Sequence, residues 1–119
     1  MAPEEVQIAC MQLIAAAGEA HADFYNAIEK ARNLDFDGAE SDLVAGKKAI
    51  AEGHKAQMGL LAAEGKGELG EIGLLLVHSQ DHLMGAMMFE TVAREFVTLY
   101  RDGLPARSAG ASVTEGGEA

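Results

Sequence analysis

Tryptophan is absent from this 119-residue chain, and aromatic residues of any kind make up only 5% of it. A core without large rings has to be filled by Ala, Leu, Ile, Val and Met. That mixture suits closely packed helices better than stacked strands. Basic residues are scarce: nine Lys and Arg stand against nineteen Asp and Glu, for a formal net charge of −10. Such a surface repels phosphate backbones and anionic headgroups, so no nucleic acid is expected as a partner. A lone cysteine, Cys10, cannot form an internal disulfide; it reads as a small buried hydrophobe in a reducing compartment. No apolar run approaches the roughly 20 residues of a membrane span. The opening "MAPEEV" lacks the basic start and apolar stretch of a signal peptide. A cytoplasmic protein without direct membrane insertion is expected. Only two prolines occur: Pro3 suits an opening helical turn, and Pro105, after Gly103, helps to end a last helix.

Between those prolines, three long segments carry helical periodicity. The first is predicted from Pro3 or Glu4 to Arg32. Val6, Cys10, Leu13, Ala17, Ala20, Phe24, Ala27 and Ala31 recur there at alternating spacings of four and three, a heptad seam. Asp35 is the predicted N-cap of a second helix, from about Phe36 to Ala63. Its seam is Phe36, Ala39, Leu43, Gly46, Ile50, Gly53, Gln57 and Leu60. Each seam glycine costs about 1 kcal/mol of helix propensity, so a neighbouring backbone or bulky side chain is expected to approach closely there. The glycines of "EGKGELG" break the pattern, and a third helix is predicted from Glu68 or Glu71 to Arg101 or Asp102. Short links between long helices imply antiparallel neighbours, hence an all-α, up-down-up three-helix bundle over residues 1–103. Residues 104–119 are small, polar and glycine-rich, and read as a flexible tail. The third helix is apolar nearly all round, from Ile72 through Phe89. A single small domain has nothing to cover its second side, so the chain is expected to form a homo-oligomer.

Within that apolar helix stands "VHSQDHLMGAMM". His78, Asp81 and His82 fall on one helical face at i, i+3 and i+4. Three readings compete. A solvated polar patch would have no chemistry. A zinc hydrolase is suggested by the H-x-x-[acid]-H spacing, close to H-x-x-E-H. Asp is shorter than the required Glu, however, and no third ligand is evident: His21 and His54 lie on other helices. A di-iron bundle is disfavoured, because no helix carries Glu-x-x-His. A phosphoryl carrier needs only an accessible imidazole nucleophile, neighbours to fix its tautomer or balance the phosphoryl charge, and an apolar docking surface.

These residues also bear a family likeness. With "EEVQ", "GEAH", "DFDGAESDL", "AEGHKAQMGLL" and above all "VHSQDHLM", the chain resembles the enzyme IIA component of the lactose/cellobiose (chitobiose) branch of the bacterial sugar phosphotransferase system, nearly collinearly from Glu4 to Gly103. The resemblance implies a homotrimer of three-helix bundles. It implies that His78 takes phosphate from the histidine-containing phosphocarrier protein and gives it to a cysteine of the cognate IIB subunit, for uptake of a disaccharide. It further implies that Asp81, one from each chain, converges on a divalent metal, with Mg²⁺ the expected ion and one per trimer. Gln80 and His82 match positions beside the phosphorylated ring, and His54 matches a position expected to be structural. The chain departs from its relatives at His21 and Ala22, where they carry Arg-Ser, in "MGAMM", and at Gly46 and Gly53. The alternative is a metal-bound helical oligomer acting as a regulatory or interaction module.

Overall fold

A computed structural model of the chain describes residues 1–104. Among them are three α-helices and no strands: α1 (Pro3–Arg32), α2 (Phe36–Gly65) and α3 (Leu74–Asp102). The reading of residues beyond 104 as a tail lies outside the described residues. None of the helices is long and apolar enough to cross a membrane.

The helix ends follow local chemistry. Glu5 accepts a hydrogen bond from the Ala2 amide at 2.7 Å, and acidic Glu4 and Glu5 open α1 while Lys30 and Arg32 close it. Both placements complement the helix dipole. The predicted N-cap of α2 is found: the Asp35 carboxylate accepts from the Gly38 amide at 3.0 Å. Leu34, in the tight link, takes the left-handed conformation at φ 67°, as an αL helix cap requires.

One boundary differs from the sequence reading. α2 continues to Gly65, and α3 begins at Leu74, not at Glu68 or Glu71. Gly67 and Gly70 have φ of 73° and 87°, and Gly73 is extended. Those conformations exclude helix, so the acidic residues between them fall in a loop. Leu69 pins that loop to the core.

α1 lies against both other helices, which touch each other least. The predicted α1 seam is buried from Cys10 to Ala31, with Val6 packed at its edge. The α2 seam is likewise inward, and its glycines have the expected cause. A Cβ at Gly46 would overlap the Phe24 ring; one at Gly53 would sit 3.0 Å from Leu83 Cδ1 and 3.4 Å from Ala16 Cβ. Phe24 in turn meets Phe89 of α3 edge-on, with ring centroids 6.5 Å apart. One ring thereby joins all three helices. Lys30 Nζ adds a 2.9 Å ion pair across to Asp42 of α2.

α3 buries Leu76, Ser79, Leu83, Ala86, Ala93 and Val97. The opposite face leaves Val77, Met84, Met88, Val92 and Leu99 exposed, Met88 to 73%. The surplus apolar surface read from the sequence is therefore a second, outward stripe.

Two glycines of α2 should respond oppositely to substitution by alanine. Gly59 has open space around its Cβ position. Gly59→Ala is expected to raise stability by about 1 kcal/mol through helix propensity alone. Gly46→Ala gains the same propensity but forces the Phe24 ring to move, at a cost of about 1–3 kcal/mol. Thermal melting followed by circular dichroism should shift upward for the first variant and not for the second. An equal upward shift for both would remove the packing role given to Gly46.

Candidate functional site

The site is built on the first three turns of α3. Ser79 is fully buried there, and its hydroxyl donates back to the Leu76 carbonyl at 2.7 Å. With its hydrogen bond spent locally, Ser79 serves as packing. The residues around it point elsewhere. His78 and His82, one turn apart, are both exposed. Their rings meet edge-on, centroids 4.4 Å apart and interplanar angle 87°, with the two Nε2 atoms 3.1 Å from each other.

That contact constrains the chemistry. Two imidazole nitrogens at hydrogen-bonding distance need one hydrogen between them, so one ring donates and the other offers a lone pair. If His78 Nε2 is the acceptor, its own hydrogen sits on Nδ1 and its outer nitrogen is a nucleophile. His82 Nε2–H is then a donor already aimed at whatever that nucleophile binds.

Beside the pair, α1 and α3 enclose an open groove of about 630 Å³, lined by Gly18 and His21 of α1 and by Asp81, His82, Gly85, Met88 and Phe89 of α3. It is wide because Gly18 and Gly85 place no side chain in it. His21 stacks on Phe89 with centroids 4.6 Å apart. The fold thus brings His21 to the same groove as His82, a proximity the sequence leaves open. His54 is exposed on α2 and does not line this groove. Among the described residues, no three His, Cys, Asp or Glu side chains of one chain are grouped to hold a metal ion. A zinc site of the hydrolase kind, closed within one chain, therefore does not fit this ligand set.

Asp81 is exposed, and on the outward face of α3 it falls between Val77 and Met84. Gln80 stands apart from the His78 of its own chain. Two residues turn an α-helix by about 200°, which sends Gln80 to the far side of α3 from His78. There it is half-buried against α2, and its Oε1 accepts a 2.6 Å hydrogen bond from Gln57 Nε2. Gln57 is the residue that sequence reasoning passed over. Its signal was present: an amide in a seam otherwise made of apolar residues and glycine.

Comparison with known proteins gives the family. Residues 8–101 match the family described as the lactose/cellobiose-specific IIA subunit of the phosphotransferase system. The lactose-specific EIIA component of Staphylococcus epidermidis is 35% identical over 100 residues, covering 84% of this chain and 96% of that protein. The corresponding component of Lactococcus lactis subsp. lactis is also 35% identical, over 84% of this chain and 95% of its own. Among solved structures, the cellobiose-specific enzyme IIA of Bacillus anthracis superposes with a TM-score of 0.79 at 36% identity, over 85% of this chain and 91% of that one. Nothing in these matches supports the alternative of a metal-bound regulatory module. With a family match over nearly the whole described chain, and relatives above 30% identity, the protein belongs to the lactose/cellobiose-specific IIA subunit family of the sugar phosphotransferase system.

Proposed function

We propose that this chain carries its phosphoryl group on His78 Nε2. It would receive the group from the histidine-containing phosphocarrier protein, pass it to a cysteine of a cognate IIB subunit, and so serve uptake of a disaccharide of the lactose/cellobiose/chitobiose class from the cytoplasmic side. A IIA subunit is the phosphoryl-carrying phosphotransferase component of such a system. The observation that carries the assignment is the exposed His78–His82 pair, joined Nε2 to Nε2 at 3.1 Å.

In this reading His82 Nε2–H holds the lone pair of His78 in place at rest. When the donor phosphohistidine docks, the P–N bond to the donor breaks as the P–N bond to His78 Nε2 forms in line. His82 then transfers its hydrogen bond from the lone pair to a phosphoryl oxygen, a charge-assisted bond stronger than the one given up. Transfer to the IIB thiolate runs the same geometry backwards. The ground nearby suits docking, because Ile72 and Leu74 are exposed.

A homotrimer completes the arrangement. The outward stripe of α3 requires cover, and three copies packed stripe to stripe provide it. Asp81 then lies nearest the axis. His78 falls on one flank of Asp81 and Gln80 on the other. Cyclic symmetry sets the first flank of each chain against the second flank of the next. Gln80 consequently serves the neighbouring chain's His78, not its own. Three Asp81 carboxylates converging on an axis repel unless a cation joins them, and hard oxygen donors suit a divalent ion such as Mg²⁺. Asp81 would hold that ion, which supplies charge neutralisation to the assembly and takes no part in transfer.

Incubation with phosphocarrier and its upstream donor should add one acid-labile, base-stable phosphate per chain. His78→Ala is expected to abolish labelling, and His82→Ala to label about tenfold more slowly and lose phosphate faster. Full labelling of His78→Ala would move the nucleophile elsewhere. Separately, elemental analysis of the purified trimer should find about one divalent ion per three chains, lost in Asp81→Asn. A trimer that is metal-free at neutral pH would remove the bridge.

A further inference from the structure

The Gln57–Gln80 hydrogen bond crosses from α2 to the reactive helix. We infer that Gln57 is a positioning residue for phosphoryl transfer: it holds the side-chain oxygen of Gln80, so that Gln80 turns its amino group outward as a donor. The inference rests on the reading above, in which Gln80 serves the phosphoryl group on an adjacent chain.

A free glutamine side chain can present either its oxygen or its amino group, and only the amino group attracts a dianionic phosphoryl group. Gln57 Nε2 donates to Gln80 Oε1 at 2.6 Å in a half-buried setting, which occupies the oxygen. Among the described residues, no other side-chain hydrogen bond engages the Gln80 amide, so its two N–H donors remain available. The surroundings leave Gln80 few competing partners. Leu60, Leu61, Leu69, Leu76 and Val77 line the cavity of about 270 Å³ into which it opens, with Glu64 the one charged group. Gln57 also sits on a rigid element, inside α2 and one turn from Gly53, where Leu83 of α3 reaches α2. A polar residue at a seam position weakens apolar packing, and fixing the orientation of a functional amide is a reason for its presence there.

A purely structural amide pair would be visible in stability alone, whereas positioning is visible in transfer. The test compares Gln57→Met, Gln80→Met and the double variant in single-turnover transfer from the phosphorylated phosphocarrier, with melting temperature and trimer content as controls. Gln57→Met keeps the shape of the side chain without the donor. It is expected to lower the limiting rate about five- to tenfold and leave the half-saturating phosphocarrier concentration unchanged. It should also shift the ³¹P resonance of the phosphohistidine. In the Gln80→Met background the same change should have no further effect. Gln57→Glu supplies a second variant of the same length. A carboxylate only accepts, so it should reverse the Gln80 amide, present oxygen to the phosphoryl group and slow transfer more than Gln57→Met does. Slow transfer in Gln80→Met with normal transfer in both Gln57 variants would overturn the role of Gln57 and leave that of Gln80 standing. Normal transfer in Gln80→Met would overturn the Gln80 reading and this inference together. An additive loss in the double variant would show that Gln57 acts by some other route.

Discussion

The bundle depends on the place where one aromatic ring meets a missing side chain. Phe24 of α1 lies over Gly46 of α2, and any Cβ there would collide with it. The same ring touches Phe89 of α3 edge-on, and Phe89 stacks on His21 at the wall of the functional groove. Two of the chain's six Phe and Tyr residues, Phe24 and Phe89, meet at this junction. From it follow the separation of α1 and α2, the depth at which α3 rides on α1, and the height at which His78 and His82 emerge. The small residues of α1, Ala17, Ala20, Ala27 and Ala31 among them, let the other helices come close enough for a single ring to reach both.

Much of this was legible in the sequence because helical burial repeats. The seams of α1 and α2 are buried where the heptad spacing puts them, Asp35 caps where a capping residue is needed, and Gly103 ends α3. The site face was legible for the same reason, since i and i+4 on one helix meet whatever the rest of the fold does. The start of α3 was misread. Glu68 and Glu71 look like first-turn acids, but the glycines beside them take conformations a helix excludes, and propensity alone does not disclose which glycine will do so. The Gln57–Gln80 pair and the His21–Phe89 stack were hidden for another reason. They join residues on different helices, and their meeting depends on the relative rotation of two helices, which periodicity leaves free.

The two faces of α3 divide its labour. The inner stripe, with Leu83 against Gly53, is spent on the fold; the outer stripe, with Val77, Met84 and Met88, is exposed among the described residues. Polar residues stand at the borders between these stripes. His78 and His82 occupy one border and Gln80 the other, with Asp81 inside the outer stripe. A small helical protein has no deep cleft in which to shelter reactive groups. Edges between a buried face and a coverable face are where it can keep such groups both fixed and reachable.

The links between the helices differ greatly in length, and that has a consequence for how the molecule comes into being. Asn33 to Asp35 join α1 to α2, whereas the whole stretch from residue 66 to residue 73 separates α2 from α3. The two helices with the most extensive mutual packing are thus also the nearest in sequence and the first to be synthesised. Pairing of neighbours over a short link is the entropically cheapest step open to a growing chain. The hairpin of α1 and α2 can therefore close while the reactive segment is still being translated. The reactive helix then arrives last, on a template that already fixes its height and rotation.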